Sequence, residues 1–136
     1  KDREITETFY PVPKYEALMQ ALPAAHARPT GIILLAKLDD IPVGCGMTHA
    51  LDAQTSEIKR VFTTDTARGR GIAAQLCRAL MDQARADGFE RMVLDTSKSL
   101  IGAQRLYAKL GFTARGPYQP IPREVLADLL FYDIAL

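Results

Sequence analysis

Two closely spaced glycines, in Arg68-Gly69-Arg70-Gly71-Ile72-Ala73, stand between a strand-like run, EIKRVFTT, and a helix-like run, IAAQLCRALMDQARADG. Glycine at a strand-to-helix turn lets the backbone come close to a ligand. The helix start then offers N–H groups without partners at the positive end of its dipole. Such a turn suits a pyrophosphate held by backbone. Each N–H group from Arg70 to Ala73 that meets a phosphate oxygen would contribute about 1.5–3 kcal/mol, and the dipole about 0.3–2 kcal/mol more. A Walker loop needs a Gly-Lys-Ser/Thr ending and a dinucleotide fingerprint needs Gly-x-Gly-x-x-Gly. Neither is present, because Gly71 is followed by Ile72, Ala73 and Ala74.

The loop resembles the acyl-CoA loop of the GNAT family of N-acetyltransferases, (Gln/Arg)-x-x-Gly-x-(Gly/Ala), through Arg68, Gly71 and Ala73. Its surroundings resemble the family too. EIKRVF is similar to the family's fourth strand, and Ala103-Gln-Arg-Leu-Tyr107-Ala-Lys-Leu-Gly-Phe112 to its A-x-x-L-Y-x-K-x-G-F segment. The tail GPYQPIPREVLADLLFYDIAL looks like the closing loop and strand of small bacterial members, so the resemblance is strongest over residues 31–136.

That resemblance implies direct acetyl transfer from acetyl-CoA to a primary amine of a small molecule or peptide, without a metal. A thioester is already activated, so the protein must hold CoA, take a proton from the amine and give one to the thiolate. Cofactor binding is implied for Arg68, Gly69, Arg70, Gly71, Ile72 and Ala73, and for Val61, Phe62 and Thr63. The strand carrying those last three diverges from the one ending at Leu94-Asp95-Thr96. The pantetheine arm would lie in the V-shaped opening, pairing with backbone as an added strand. Leu100 stands where many relatives have an asparagine that contacts CoA.

Tyr107 matches the family's general acid. A phenol near pKa 10 is protonated at neutral pH and can donate to a thiolate whose conjugate acid lies near about 8.5. The plain alternative is a helix aromatic packed on the sheet. An alkyl ammonium of pKa about 10.4 costs about 4.6 kcal/mol to deprotonate at pH 7, so a base is useful. Glu57, eleven residues before Arg68, stands where protein acetyltransferases of this family keep a glutamate. Its alternative is a strand-start carboxylate paired with Lys59 or solvent. His49 is the reserve base, water a third candidate, and His26 has no visible role. Tyr118 and Glu124 would touch the acceptor. A non-catalytic acyl-CoA-binding or partner-binding module is the other class of function, separable by assaying CoA release.

Composition is compatible with this reading. With 136 residues the chain forms one domain able to bury about two-thirds of its unfolded surface. Lys+Arg 17 against Asp+Glu 16 gives a net charge of +1, which draws it to neither nucleic acid nor membrane. The basic cluster Lys59-Arg60 and Arg68-Arg70 lacks the interleaved aromatics of an RNA surface. Cys45 and Cys77 sit in apolar segments without a CxxC or Cys/His cluster, reading as reduced core thiols in the cytoplasm. The longest apolar run, Gly31 to Ala36, is too short to span a bilayer, and no signal peptide precedes it. A homodimer is compatible with the family.

The elements that must position these residues follow from periodicity and punctuation. PKYEALMQAL, with Pro13 leading and Leu18, Met19 and Leu22 on one side, predicts a helix ending at Pro23, and a looser helical piece runs through His26. GIILLAKL and IPVGCGMTHAL flank the turn Asp39-Asp40, and SEIKRVFTT follows Asp52-Ala53 as a third strand of a meander. Ile72, Leu76 and Leu80, with Ala73, Cys77 and Ala84 beside them, mark an amphipathic helix ending at Asp87-Gly88. RMVLDT, FTAR and DLLFYDIAL are strands, and LIGAQRLYAKLG is a helix capped by Gly111. The expected class is α+β, a GNAT-like mixed and mostly antiparallel sheet flanked by helices. KDREITETFYPV matches the family's opening strand and helix poorly, implying an atypical or missing first strand, or a native chain that is longer.

Overall fold

The computed structural model describes residues 24–136. The helix expected over residues 13–22 and the question of the first strand therefore lie outside the described residues. Within them, β1 (Ile32–Leu38), β2 (Ile41–Ala50) and β3 (Thr55–Thr63) form the expected antiparallel meander. Helix α1 (Ile72–Ala86), β4 (Arg91–Ser97), α2 (Ile101–Lys109), β5 (Thr113–Arg115), the short α3 (Arg123–Leu126) and β6 (Leu129–Ala135) follow. The sheet has six strands in the order β1-β2-β3-β4-β6-β5, with β3 and β4 parallel and every other pair antiparallel.

Local chemistry accounts for the turns. Asp39 and Asp40 adopt φ of 50° and 65°, the left-handed pair of a two-residue hairpin whose twist matches its strands. Asp52 Oδ1 accepts from the backbone N–H of Gln54 and Thr55 at 2.9 and 2.8 Å and fixes the next turn. Gly88 and Gly111, with φ of 93° and 101°, close α1 and α2 as the sequence predicts.

Helix α1 buries Ile72, Leu76, Cys77, Leu80, Met81 and Ala84. Cys77, Leu80, Met81 and Ala84 pack with Ile58, Met92, Leu94, Tyr107, Phe112 and Tyr132 on one face of the sheet, and Ile72 and Leu76 pack with Val43 and Ala67. Each large aliphatic side chain buried there contributes about 1.5–3 kcal/mol, which anchors the start of α1, and the loop before it, to the sheet. The helix α3 was not foreseen, its residues having been read as part of the closing loop and strand. No described helix is long and apolar enough to cross a membrane.

Two features of β3 prepare the site. Its ladder with β4 covers only Thr55, Glu57 and the residue between them, so from Ile58 to Thr63 its edge toward β4 carries no partner strand among the described residues. The sheet is open there. The ladder between β2 and β3 also slips by one residue between Cys45 and Met47, opposite a left-handed Arg60 with φ of 54°. This is a β-bulge.

Candidate active site

The bulge changes which side chains share a face. Before it, Ile58 joins the core under α1, so Glu57 and Lys59 point to the opposite face. After it, Val61 packs with the core on the α1 side. Val61, Phe62 and Thr63 lie beyond the β4 ladder, with Phe62 and Thr63 paired to Cys45 and Gly44 of β2 on their other edge.

The chain then passes through a 3₁₀ turn, Asp65–Ala67, into Gly69 and Gly71, whose φ values of 81° and 74° favour glycine. The N–H groups of Gly71, Ile72, Ala73 and Ala74 donate to no described group, the first bond of α1 being Gln75 N–H to Gly71 C=O. Adding a Cβ at Gly69 or Gly71 would meet nothing within 4 Å, so the concavity is open. Arg68 pairs with Asp65 at 3.0 Å on the surface. A cavity of ≈ 280 Å³ beside the loop is lined by Asp39, Thr66 and Arg70 among others. The donor set is therefore a run of unpaired backbone N–H groups at the start of a 15-residue helix, which fits a pyrophosphate.

On the face away from α1, a charged network fills the space over β2, β3 and β4. Glu57 is 1% exposed. His49 Nε2 lies 2.5 Å from its Oε1, and Tyr118 Oη–H donates to Oε2. Lys59 Nζ bridges Glu57 Oε2 at 3.4 Å and Asp95 Oδ2 at 3.6 Å. Burial works against ionisation of Glu57, but the hydrogen bonds from His49 and Tyr118 and the nearby ammonium outweigh it, holding the carboxyl below its ordinary value. Tyr118 shifts upward, through burial and then its bond to Glu57. His26 is buried, its Nδ1 2.8 Å from the Thr48 carbonyl, and its ring meets His49 edge-on at 5.5 Å. Burial lowers the pKa of His26. A cleft of ≈ 400 Å³ adjoins the network, lined by Thr55, Arg91, Val93, Arg115, Tyr118 and Gln119 among others.

Tyr107 lies on α2 with its ring 5.9 Å from Phe112 and 6.1 Å from Tyr132. Burial, followed by Cys77 and Asp95, pushes its hydroxyl pKa well up, so the phenol stays protonated. Asp95 belongs to the charged network, its Oδ2 3.6 Å from Lys59 Nζ. Thr96 is buried beside it, whereas Leu100 is half exposed at the start of α2.

Several readings need amendment. Glu57 does pair with Lys59, as the plainer alternative had it, but it is shielded from solvent and also held by His49 and Tyr118. His49, the reserve base, is bound to Glu57, and His26, which had no visible role, is bound to the Thr48 carbonyl. Their association was legible in principle: with a turn at residues 52–54, pairing outward from Leu51 and Thr55 sets His49 opposite Glu57. Tyr118 joins the network, while Glu124 is exposed and takes no part in it.

Cys77 is fully buried, with its thiol pushed up to about 11 by burial, whereas Cys45 is only half-buried and donates to the Arg60 carbonyl. A thiol so buried and shifted as Cys77 is not poised as a nucleophile. Cys45→Ala and Cys77→Ala are expected to leave kcat within a few-fold, the second lowering stability by about 1 kcal/mol. Steady-state kinetics with denaturant melts checks both, and a trapped acetyl-cysteine would contradict the expectation.

Residues 3–112 match the Acetyltransferase (GNAT) family. The chain belongs to the GNAT family. Among GNAT relatives, an IAA acetyltransferase of Azospirillum brasilense is 38% identical over 96 residues, 69% of this chain and 62% of that protein. An uncharacterized N-acetyltransferase of Schizosaccharomyces pombe is 33% identical over 108 residues, 76% of this chain and 66% of that one. The chain thus spans a little under two-thirds of the length of either. A solved acetyltransferase from Streptococcus agalactiae shares the fold with a TM-score of 0.79 at 22% identity, covering 94% of this chain and 80% of that chain. A GNAT family acetyltransferase from Elizabethkingia anophelis with acetyl-CoA bound superposes with a TM-score of 0.70 at 25% identity, covering 91% and 84%. The mixed, mostly antiparallel sheet expected from the sequence is the GNAT sheet.

Proposed function

We propose that the protein is a cytoplasmic N-acetyltransferase that moves an acetyl group directly from acetyl-CoA to a primary amine of a small molecule or peptide. The observation that carries this reading is the pairing of an open β3–β4 edge with the unpartnered N–H groups of Gly71 to Ala74 at its end. The bound acetyl-CoA of the Elizabethkingia relative supports it.

In this reading the N–H groups after Arg70 hold the pyrophosphate, and the free edge at Val61, Phe62 and Thr63 pairs with pantetheine. Acetyl-CoA supplies an activated thioester. Tyr107 donates its proton to the departing thiolate and recovers one from solvent. The carboxylate of Glu57 is the source of basicity on the acceptor side, and the cleft bounded by Tyr118 receives the amine.

Acetyl-CoA is expected to raise the melting temperature, since a ligand that binds only the folded state adds about 2.7 kcal/mol at a hundredfold excess over Kd. For a domain of this size that is roughly 10 °C. Thermal denaturation with and without acetyl-CoA measures it, and no shift would overturn the donor assignment. A panel of amino acids, polyamines and peptides, followed by thiol release, tests the reaction itself. Stabilisation without release from any amine would favour an acyl-CoA-binding module.

A further inference from the structure

On the acceptor side, the group with charge and the group with access are different residues. Glu57 has the carboxylate, but its side chain is 1% exposed, while that of His49 is 30% exposed. Both carboxylate oxygens of Glu57 are already engaged, Oε1 by His49 and Oε2 by Tyr118 and Lys59. An amine proton could reach Glu57 only by displacing one of these partners. An ionised carboxylate accepts and cannot donate, so the proton shared with His49 sits on Nε2. The other ring nitrogen, Nδ1, then carries the lone pair, and it has no hydrogen-bond partner among the described residues.

We infer that His49 and Glu57 form one base, in which His49 Nδ1 receives the proton of the acceptor amine while Glu57 holds the ring from beneath. The inference rests on the acetyl-transfer reading. The acceptor ammonium gives one proton to Nδ1, leaving a neutral amine and an imidazolium whose Nε2–H still points at the Glu57 carboxylate. The amine lone pair then attacks the thioester carbonyl, the C–S bond breaks as the thiolate takes the Tyr107 proton, and the amide nitrogen loses its second proton through solvent, which reprotonates the Tyr107 phenolate. The imidazolium returns its proton to water at its exposed edge. Glu57 is a positioning residue here: it fixes the tautomer and balances the charge that appears on the ring.

The groups facing His49 fit this division. Across β3 lie Glu57 and, beyond it, Lys59. Asp95 on β4 offsets the Lys59 charge. Tyr118, from the loop after β5, occupies the far oxygen of Glu57 and blocks a second route to it. His26, ahead of β1, presents its ring edge-on to His49 while its Nδ1 is bound to the Thr48 carbonyl, and Arg60 adds a positive charge near His26.

The test measures kcat/KM against pH with acetyl-CoA and the amine of the panel that the parent protein turns over fastest. His49→Gln is expected to lower kcat/KM about 10²-fold at neutral pH and to erase the acidic limb of the profile. Glu57→Gln should cost less, about tenfold, and displace that limb without removing it. In His49→Ala, added imidazole should restore part of the rate, which a purely structural histidine would not allow. A His49→Gln protein with the parent's rate and limb would overturn the inference. Acetyl-CoA-dependent stabilisation of each variant shows whether it is folded. Diethyl pyrocarbonate labelling of the unmutated protein, read by peptide mass spectrometry, needs neither turnover nor mutation. His49 should be carbethoxylated and His26 spared, and an unreactive His49 would overturn the assignment. If the parent turned over no amine, the acetyl-transfer reading would fail, while the labelling would still decide whether Nδ1 is available.

Discussion

Tyr107→Phe is expected to lower kcat by about 10²-fold or more while leaving acetyl-CoA affinity within a few-fold. The substitution removes one oxygen and keeps the ring, so the edge-on contact with Phe112 and the tilted one with Tyr132 persist. Burial keeps the hydroxyl protonated far above neutral pH, so in the parent a proton is always available for the thiolate. Without it the leaving group must depart as an unprotonated thiolate or wait for water. Pre-steady-state kinetics separates that slowed step from binding, and thermal melts check that packing is intact. A Phe variant of near-parental kcat would reduce Tyr107 to a core aromatic.

Gly71→Glu is expected to abolish the stabilisation by acetyl-CoA altogether. An L-residue at φ 74° costs about 1–2 kcal/mol, yet a Cβ there meets nothing within 4 Å, so the fold should survive. The new carboxylate would sit among the unpartnered N–H groups of Ile72, Ala73 and Ala74 and compete with the pyrophosphate for them. Gly71→Ala imposes the same backbone strain without charge and should keep part of the shift. Calorimetric titration of both variants with acetyl-CoA distinguishes the effects, and equal loss in both would point to backbone shape rather than anion binding.

Elements set by local chemistry were the most legible in the sequence. The Asp39-Asp40 turn, the apolar stripe of α1 from Ile72 to Ala84 and the glycine stops at 88 and 111 depend on residues a few positions apart. The phosphate-type loop was readable for the same reason. What escaped notice depends on contacts across long stretches of chain. Tyr118 reaches Glu57 across 61 residues and His26 reaches the backbone of Thr48 across 22, and no periodicity encodes either meeting. The part Asp95 plays in the network comes from Lys59 on another strand, which no local pattern reveals. Helix α3 is four residues long, too short to leave a periodic trace.

The extra residue at Arg60 has a consequence for how such a chain can diversify. Upstream of the kink, β3 contributes side chains to the acceptor cluster; downstream, it offers mainly an open backbone edge toward β4. On the acetyl-transfer proposal, substitutions around Glu57 and Lys59 would reshape what is acylated, while the grip on the donor would be nearly blind to sequence. One strand would then serve a constant partner and a variable one, and selection could act on the second without disturbing the first.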